Sequence, residues 1–206
     1  MRTRVKICGF TRVEDALQAA HLGVDAIGLV FYPASPRNVS VPQAVAIARA
    51  LPAFVTVVGL FVDAEPFFVH EVLRQVNIDC LQFHGNETPE ACRGYAKPYI
   101  KAIRMQADTD LAVLERQYAD AAGLLLDAYH PGMQGGTGSG FDWETIPVER
   151  ELPIILAGGL SPENAAFAVQ RVRPYALDVS SGVESAKGIK DAAKMAAFIR
   201  ITNQAT

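Results

Sequence analysis

Leu156-Ala157-Gly158-Gly159-Leu160-Ser161-Pro162-Glu163-Asn164 runs from an apolar stretch through two glycines into a helix start. Ser161 occupies the N-cap position and Pro162 the first helical position, where a missing N–H loses nothing. The stretch reads as one strand–turn–helix unit. Working outward from it, short apolar runs alternate with segments of helical period along the whole chain, the pattern of repeated βα units. Strands are expected near Val5–Cys8, Ala26–Phe31, Val55–Val62, Cys80–His84, Tyr99–Arg104, Gly123–Asp127, Pro153–Ala157 and Ala176–Ser180, eight in all.

Helices are expected between them. Thr11 can cap one that carries Val13, Ala16, Leu17 and Ala20 on one face, with Gly23 just past its end. Pro42 opens a second and Pro52 closes it. Others fit Glu65–Val76, Pro89–Ala96, Asp110–Tyr118, Ser161–Val172 and Lys190–Arg200. After the sixth strand the chain spends Gly132, Gly135, Gly136, Gly138 and Gly140 on a loop, leaving only Asp142–Glu149, with Pro147 inside it, for a short or irregular helix. A loop at 128–141 is too long for mere connection and is expected to be a mobile cover over a site. Eight strands and their helices in 206 residues fit a single (β/α)8 TIM barrel, one α/β domain over 1–206. An open doubly wound sheet is the alternative, because periodicity does not give strand order.

Half the residues are apolar, enough for a sizeable core, and the net charge is −3 with no block of Lys or Arg. That balance gives no footprint for nucleic acid. No apolar run approaches a membrane span, and the start, with Arg2, Arg4 and Lys6 before Cys8-Gly9, lacks the core of a signal peptide, so a cytoplasmic protein is expected. Cys8, Cys80 and Cys92 are an odd count without a C-x-x-C pair, which suggests neither a disulfide framework nor a zinc site. His21 and His70 fall on helices and His130 in the glycine loop, without metal-ligand spacing, so no metal is expected.

In a barrel of this kind ligands meet the C-terminal ends of the strands. Lys6-Ile7-Cys8-Gly9 puts a thiol there, with Lys6 on the same face one pleat deeper, where an ammonium would favour the thiolate. A buried inert thiol is the plainer reading, and it suits Cys80, early in its strand, and Cys92, in a helix. Gly123-Leu124-Leu125-Leu126-Asp127 ends a buried strand in a carboxylate; a turn or cap role is the alternative to proton transfer. Gln82 and His84 share a face at the fourth rim, and Arg37, after the second strand, could reach a carboxylate or phosphate. Gly158 and Gly159 after the seventh strand, with Ser181 and Gly182 after the eighth before a short helix, stand where such barrels hold phosphate. Gly136-Thr137-Gly138-Ser139-Gly140 lacks the lysine of a Walker A loop and follows its strand too distantly for a dinucleotide turn.

In order along the chain, Lys6-Ile7-Cys8-Gly9, Ser35-Pro36-Arg37, Leu81-Gln82-Phe83-His84-Gly85, Asp127, Gly135-Gly136-Thr137-Gly138 with Phe141-Asp142-Trp143, Leu156-Ala157-Gly158-Gly159-Leu160 and Asp178-Val179-Ser180-Ser181-Gly182-Val183-Glu184 together resemble the phosphoribosylanthranilate isomerase family of tryptophan biosynthesis. The resemblance implies a (β/α)8 barrel and an Amadori rearrangement of a phosphorylated small-molecule substrate, with Asp127 as general acid and Cys8 as general base. It also implies that Arg37 pairs with the anthranilate carboxylate or helps orient the substrate, that Asp178 meets the anthranilate amine, and that amides at Gly158, Gly159, Ser181 and Gly182 hold the phosphate. Gln82 and His84 would join the substrate site. The substrate's own nitrogen is the electron sink, so no cofactor is implied. A monomer is expected, with a homodimer as the alternative.

The nearest rival is an isomerase of the same barrel type acting on the related histidine-pathway aminoaldose, alone or bifunctionally. Enzymes of that kind look to carry an aspartate where this chain has Cys8 and a second phosphate motif where Val62-Asp63-Ala64-Glu65 and Phe83-His84-Gly85-Asn86 stand. A pentose-phosphate epimerase would need metal-binding His and Asp at several rims, a spacing this chain lacks. A non-catalytic binder of a phosphorylated metabolite would keep the phosphate loops but leave Cys8 and Asp127 without a task.

Overall fold

A computed structural model describes residues 2–106, 108–127, 143 and 146–205. Eight strands, β1 (Arg4–Cys8), β2 (Ala26–Phe31), β3 (Thr56–Phe61), β4 (Cys80–Phe83), β5 (Tyr99–Arg104), β6 (Gly123–Asp127), β7 (Ile154–Ala157) and β8 (Ala176–Val179), run parallel and close in sequence order. β8 pairs back onto β1 with Lys6 opposite Asp178, so the sheet has no open edge. The open-sheet alternative is excluded. Helices α1 (Val13–His21), α2 (Val41–Ala50), α3 (Pro66–Gln75), α4 (Pro89–Cys92), α5 (Leu111–Gln117), α6 (Pro162–Val172) and α7 (Ala192–Gln204) lie between and after the strands.

Strand alternation sorts the side chains into two environments. Outward residues such as Ile7, Ile27, Leu29, Leu124, Leu126 and Leu177 pack with Ala16, Ile47, Val69, Ala165 and Phe198 of the helices in the main core. Inward residues form two smaller clusters, one of Cys8, Val30 and Leu60, the other of Ala102, Leu125, Ile155, Ala157 and Ala176. The same interior holds three buried polar side chains, Lys6, Gln82 and Asp178.

Several expected boundaries move. α1 starts from Arg12 without a side-chain cap, because the Thr11 hydroxyl donates instead to the Gly188 carbonyl at 2.6 Å. α4 stops at Cys92 rather than Ala96, since Gly94 and Ala96 both take positive φ, which a helix does not allow. The last helix does not begin at Lys190: β9 (Glu184–Ala186) and β10 (Ile189–Lys190) form a hairpin, and Asp191 caps α7 by accepting from the Lys194 N–H at 2.9 Å. After β8 the expected short helix is a 3-10 turn, Ser181–Val183. Among the described residues between β6 and β7 there is no α-helix. The glycine loop at 128–141, read as a cover, lies outside the described residues.

Candidate active site

The C-terminal ends of β1, β4, β6 and β8 bring five of the anticipated side chains into one interior. Lys6 Nζ donates to Asp178 Oδ2 at 2.8 Å, both groups buried. Burial works against the Lys6 ammonium, but Asp178 and the neighbouring Cys8 hold its pKa above the ordinary lysine value. Burial also pushes the Asp178 carboxyl up, against the pull of Lys6 and His84, and the charge of Asp127 adds to the rise.

Cys8 lies one pleat beyond Lys6 and is buried. Room for its thiol comes from Gly28, its register partner on β2, where a Cβ would stand 2.6 Å from Sγ. The expected thiolate-favouring ammonium is present, yet burial outweighs it. The Cys8 pKa is raised by burial, while Lys6 and Lys190 draw it down. Cys80 and Cys92 are buried as well, and burial pushes each up to about 11, in keeping with inert thiols.

A hydrogen-bonded chain joins β4 to β6. Gln82 Nε2 lies 3.0 Å from His84 Nδ1, and His84 Nε2 lies 3.2 Å from Asp127 Oδ2. With the Gln82 amide donating to Nδ1, the ring proton sits on Nε2 and points at the carboxylate. The β4 loop behind His84 is anchored by Lys101, whose Nζ donates to Gly85 O at 2.7 Å and to Glu87 Oε2 at 2.8 Å. Among the described residues two buried oxygens, Gln82 Oε1 and Asp178 Oδ1, have no hydrogen-bond partner. Such groups are costly unless something meets them, and each can accept a hydrogen bond.

The two glycine loops meet. Gly158 and Gly159 both take positive φ, and Asn164 pins their loop by accepting from the Ser161 N–H at 2.9 Å and donating to Gly159 O at 3.0 Å. A Cβ on Gly182 would fall 1.9 Å from Leu160 O, so only glycine lets the β7 and β8 loops touch. The result is a cradle of backbone at the start of α6, suited to an anion.

Arg37 is also at this rim, but it is already engaged. Its Nε and Nη2 each donate at 2.7 Å to the two oxygens of Glu184. Glu184 and Lys190 carry no role in the sequence reading; the signal available was Gly188 between them, which permits a hairpin turn at φ 78°.

The model of the N-(5'-phosphoribosyl)anthranilate (PRA) isomerase family matches residues 5–201. An N-(5'-phosphoribosyl)anthranilate isomerase of Nitrosococcus oceani is 62% identical over 200 residues, 97% of each chain. The crystal structure of phosphoribosyl anthranilate isomerase from Thermotoga maritima superposes with a TM-score of 0.89 at 40% identity, over 98% of this chain and 99% of that one. A further crystal structure of such an isomerase, in complex with reduced 1-(o-carboxyphenylamino)-1-deoxyribulose 5-phosphate, superposes with a TM-score of 0.87 at 39% identity, covering 98% and 99%. With its eight-stranded barrel and this full-length similarity, the chain belongs to the N-(5'-phosphoribosyl)anthranilate isomerase family.

Proposed function

We propose that the chain rearranges N-(5-phosphoribosyl)anthranilate to 1-(2-carboxyphenylamino)-1-deoxyribulose 5-phosphate in tryptophan biosynthesis, with Asp127 as general acid and Cys8 as general base. The observation that carries this is the placing of a thiol, a His84-bonded carboxylate and a two-loop backbone cradle at one end of one barrel.

Ring opening needs a proton on the ribose ring oxygen as its bond to C1 breaks and the nitrogen lone pair forms the iminium. Asp127 supplies that proton, and the His84 Nε2–H then faces the carboxylate left behind. The Cys8 thiolate removes the proton from C2, and the electrons of that bond flow into the iminium to give the enolamine. Loss of the enol proton and protonation of C1 give the ketone, so the sequence consumes no proton overall. Lys6 and Lys190 favour the thiolate that this step needs, against the burial of Cys8.

The remaining residues bind. Asp178 Oδ1 accepts from the anthranilate amine, and Gln82 Oε1 is free to accept from a ribose hydroxyl. Arg37 takes the anthranilate carboxylate. Amides at Gly158, Gly159, Ser181 and Gly182 hold the phosphate, remote binding that places C1 and C2 against the two proton-transfer groups.

The test is the loss of substrate fluorescence, with the labile substrate generated in place. Decay well above the spontaneous background supports the isomerase. Tight binding of the reduced product analogue without any decay would make the chain a binder, and decay of the histidine-pathway aminoaldose alone would move the assignment there.

A further inference from the structure

The Glu184 carboxylate lies between two cations. One side takes the Nε and Nη2 donors of Arg37, and Oε1 also accepts from Lys190 Nζ at 2.9 Å. Glu184 and Lys190 are register partners across the β9–β10 hairpin, which makes their pairing a product of the fold. Lys190 is buried, and its remaining donors reach Cys8 O at 2.6 Å and Ser180 O at 3.1 Å. One ammonium thereby joins the ends of β1 and β8 to the group that grips Arg37.

The hairpin itself is fastened to its surroundings. Thr11 Oγ1 donates to Gly188 O, the Lys190 N–H donates to Asp15 Oδ2 at 3.0 Å, and Lys194 Nζ donates to Glu184 O at 2.8 Å. The Arg37 stem packs closely over Gly9, where a Cβ would come 2.4 Å from Cδ. Burial pushes Glu184 up, but Arg37 and Lys190 outweigh it and keep the carboxyl below its ordinary range.

A guanidinium has two forks. Glu184 fills the Nε/Nη2 fork, which fixes the plane of the guanidinium and so the direction of its terminal, outer fork, Nη1/Nη2. Two cations share one carboxylate, so the group keeps a surplus positive charge for an incoming anion. We propose that Glu184, backed by Lys190, is a positioning and specificity-determining residue that aims the outer fork of Arg37 at a planar aryl carboxylate on the substrate. This rests on the Arg37 role given under Proposed function.

Two probes test it by calorimetry: reduced 1-(o-carboxyphenylamino)-1-deoxyribulose 5-phosphate, and the same compound without its ring carboxylate. Wild type should prefer the first by at least about tenfold, as a bidentate charge-assisted contact requires. Glu184→Gln should cut that preference to within about threefold, and leave the affinity for the second probe within about threefold of wild type. Charge alone predicts the opposite, because removing Glu184's charge leaves the site more positive and would tighten the carboxylated probe. Tighter or unchanged preference in Glu184→Gln, with Arg37→Ala losing it, overturns the inference while the Arg37 role stands. A wild type without preference overturns the Arg37 role, and the inference with it. Should Glu184→Gln fail to fold, as thermal melting would show, Glu184→Asp keeps the charge but withdraws the carboxylate by one methylene. There a partial loss of preference supports the inference and an unchanged preference overturns it.

Discussion

Lys6 on β1 and Asp178 on β8 are register partners across the closure of the barrel, and their side chains meet inside it at 2.8 Å. The pair closes the ring electrostatically where β8 returns to β1, and it lies directly below the Cys8 thiol. A buried pair is hard to break from one side, because the surviving charge is left without a partner.

Asp178→Ala should therefore lower unfolding stability by about 3–5 kcal/mol, read from urea denaturation. The double variant Lys6→Met with Asp178→Leu should recover most of that loss while staying inactive. A single variant as stable as wild type would show that the pair is not what secures the closure.

Burial raises the Cys8 pKa, so thiolate forms only as pH climbs past the ordinary thiol value. If the thiolate is the base, kcat/KM should still be rising above about pH 8.5, and alkylation of Cys8 by iodoacetamide should follow the same curve. Product analogue should protect the thiol. A profile already flat well below that pH would contradict the assignment of the base.

Gly182 lets the β7 and β8 loops touch at Leu160 O. Gly182→Ala must push them apart, and with them the amides read as the phosphate cradle. KM should rise by about tenfold or more and competitive inhibition by inorganic phosphate should weaken in parallel. An unaltered phosphate inhibition constant would place the phosphate elsewhere.

The strands were legible because a strand buried on both faces is mostly apolar, and Ala26–Phe31 and Gly123–Asp127 read as they stand in the structure, as does Tyr99–Arg104 despite its Lys101 and Arg104. Alternation likewise put Lys6 and Cys8 on one face. It did not say that Asp178 would be Lys6's partner, since that depends on the register of a closure 172 residues long. Nor did it weigh burial against the ammonium at Cys8, which is a property of the packed interior. Gly28 shows its purpose only when the thiol beside it is seen. The β9–β10 hairpin is not legible in the sequence because its strands of three and two residues are too short for any period, and Lys190 reads as the start of a helix. Glu184 and Lys190 then lost their roles together.

The most direct test of the central claim is turnover of Cys8→Ser and Asp127→Asn, measured by substrate fluorescence beside the affinity of each for the reduced product analogue. Loss of kcat by about three orders of magnitude or more in each variant, with analogue affinity within about threefold of wild type, is the predicted result. Near-normal turnover in either folded variant would contradict the proton-transfer role given to that residue.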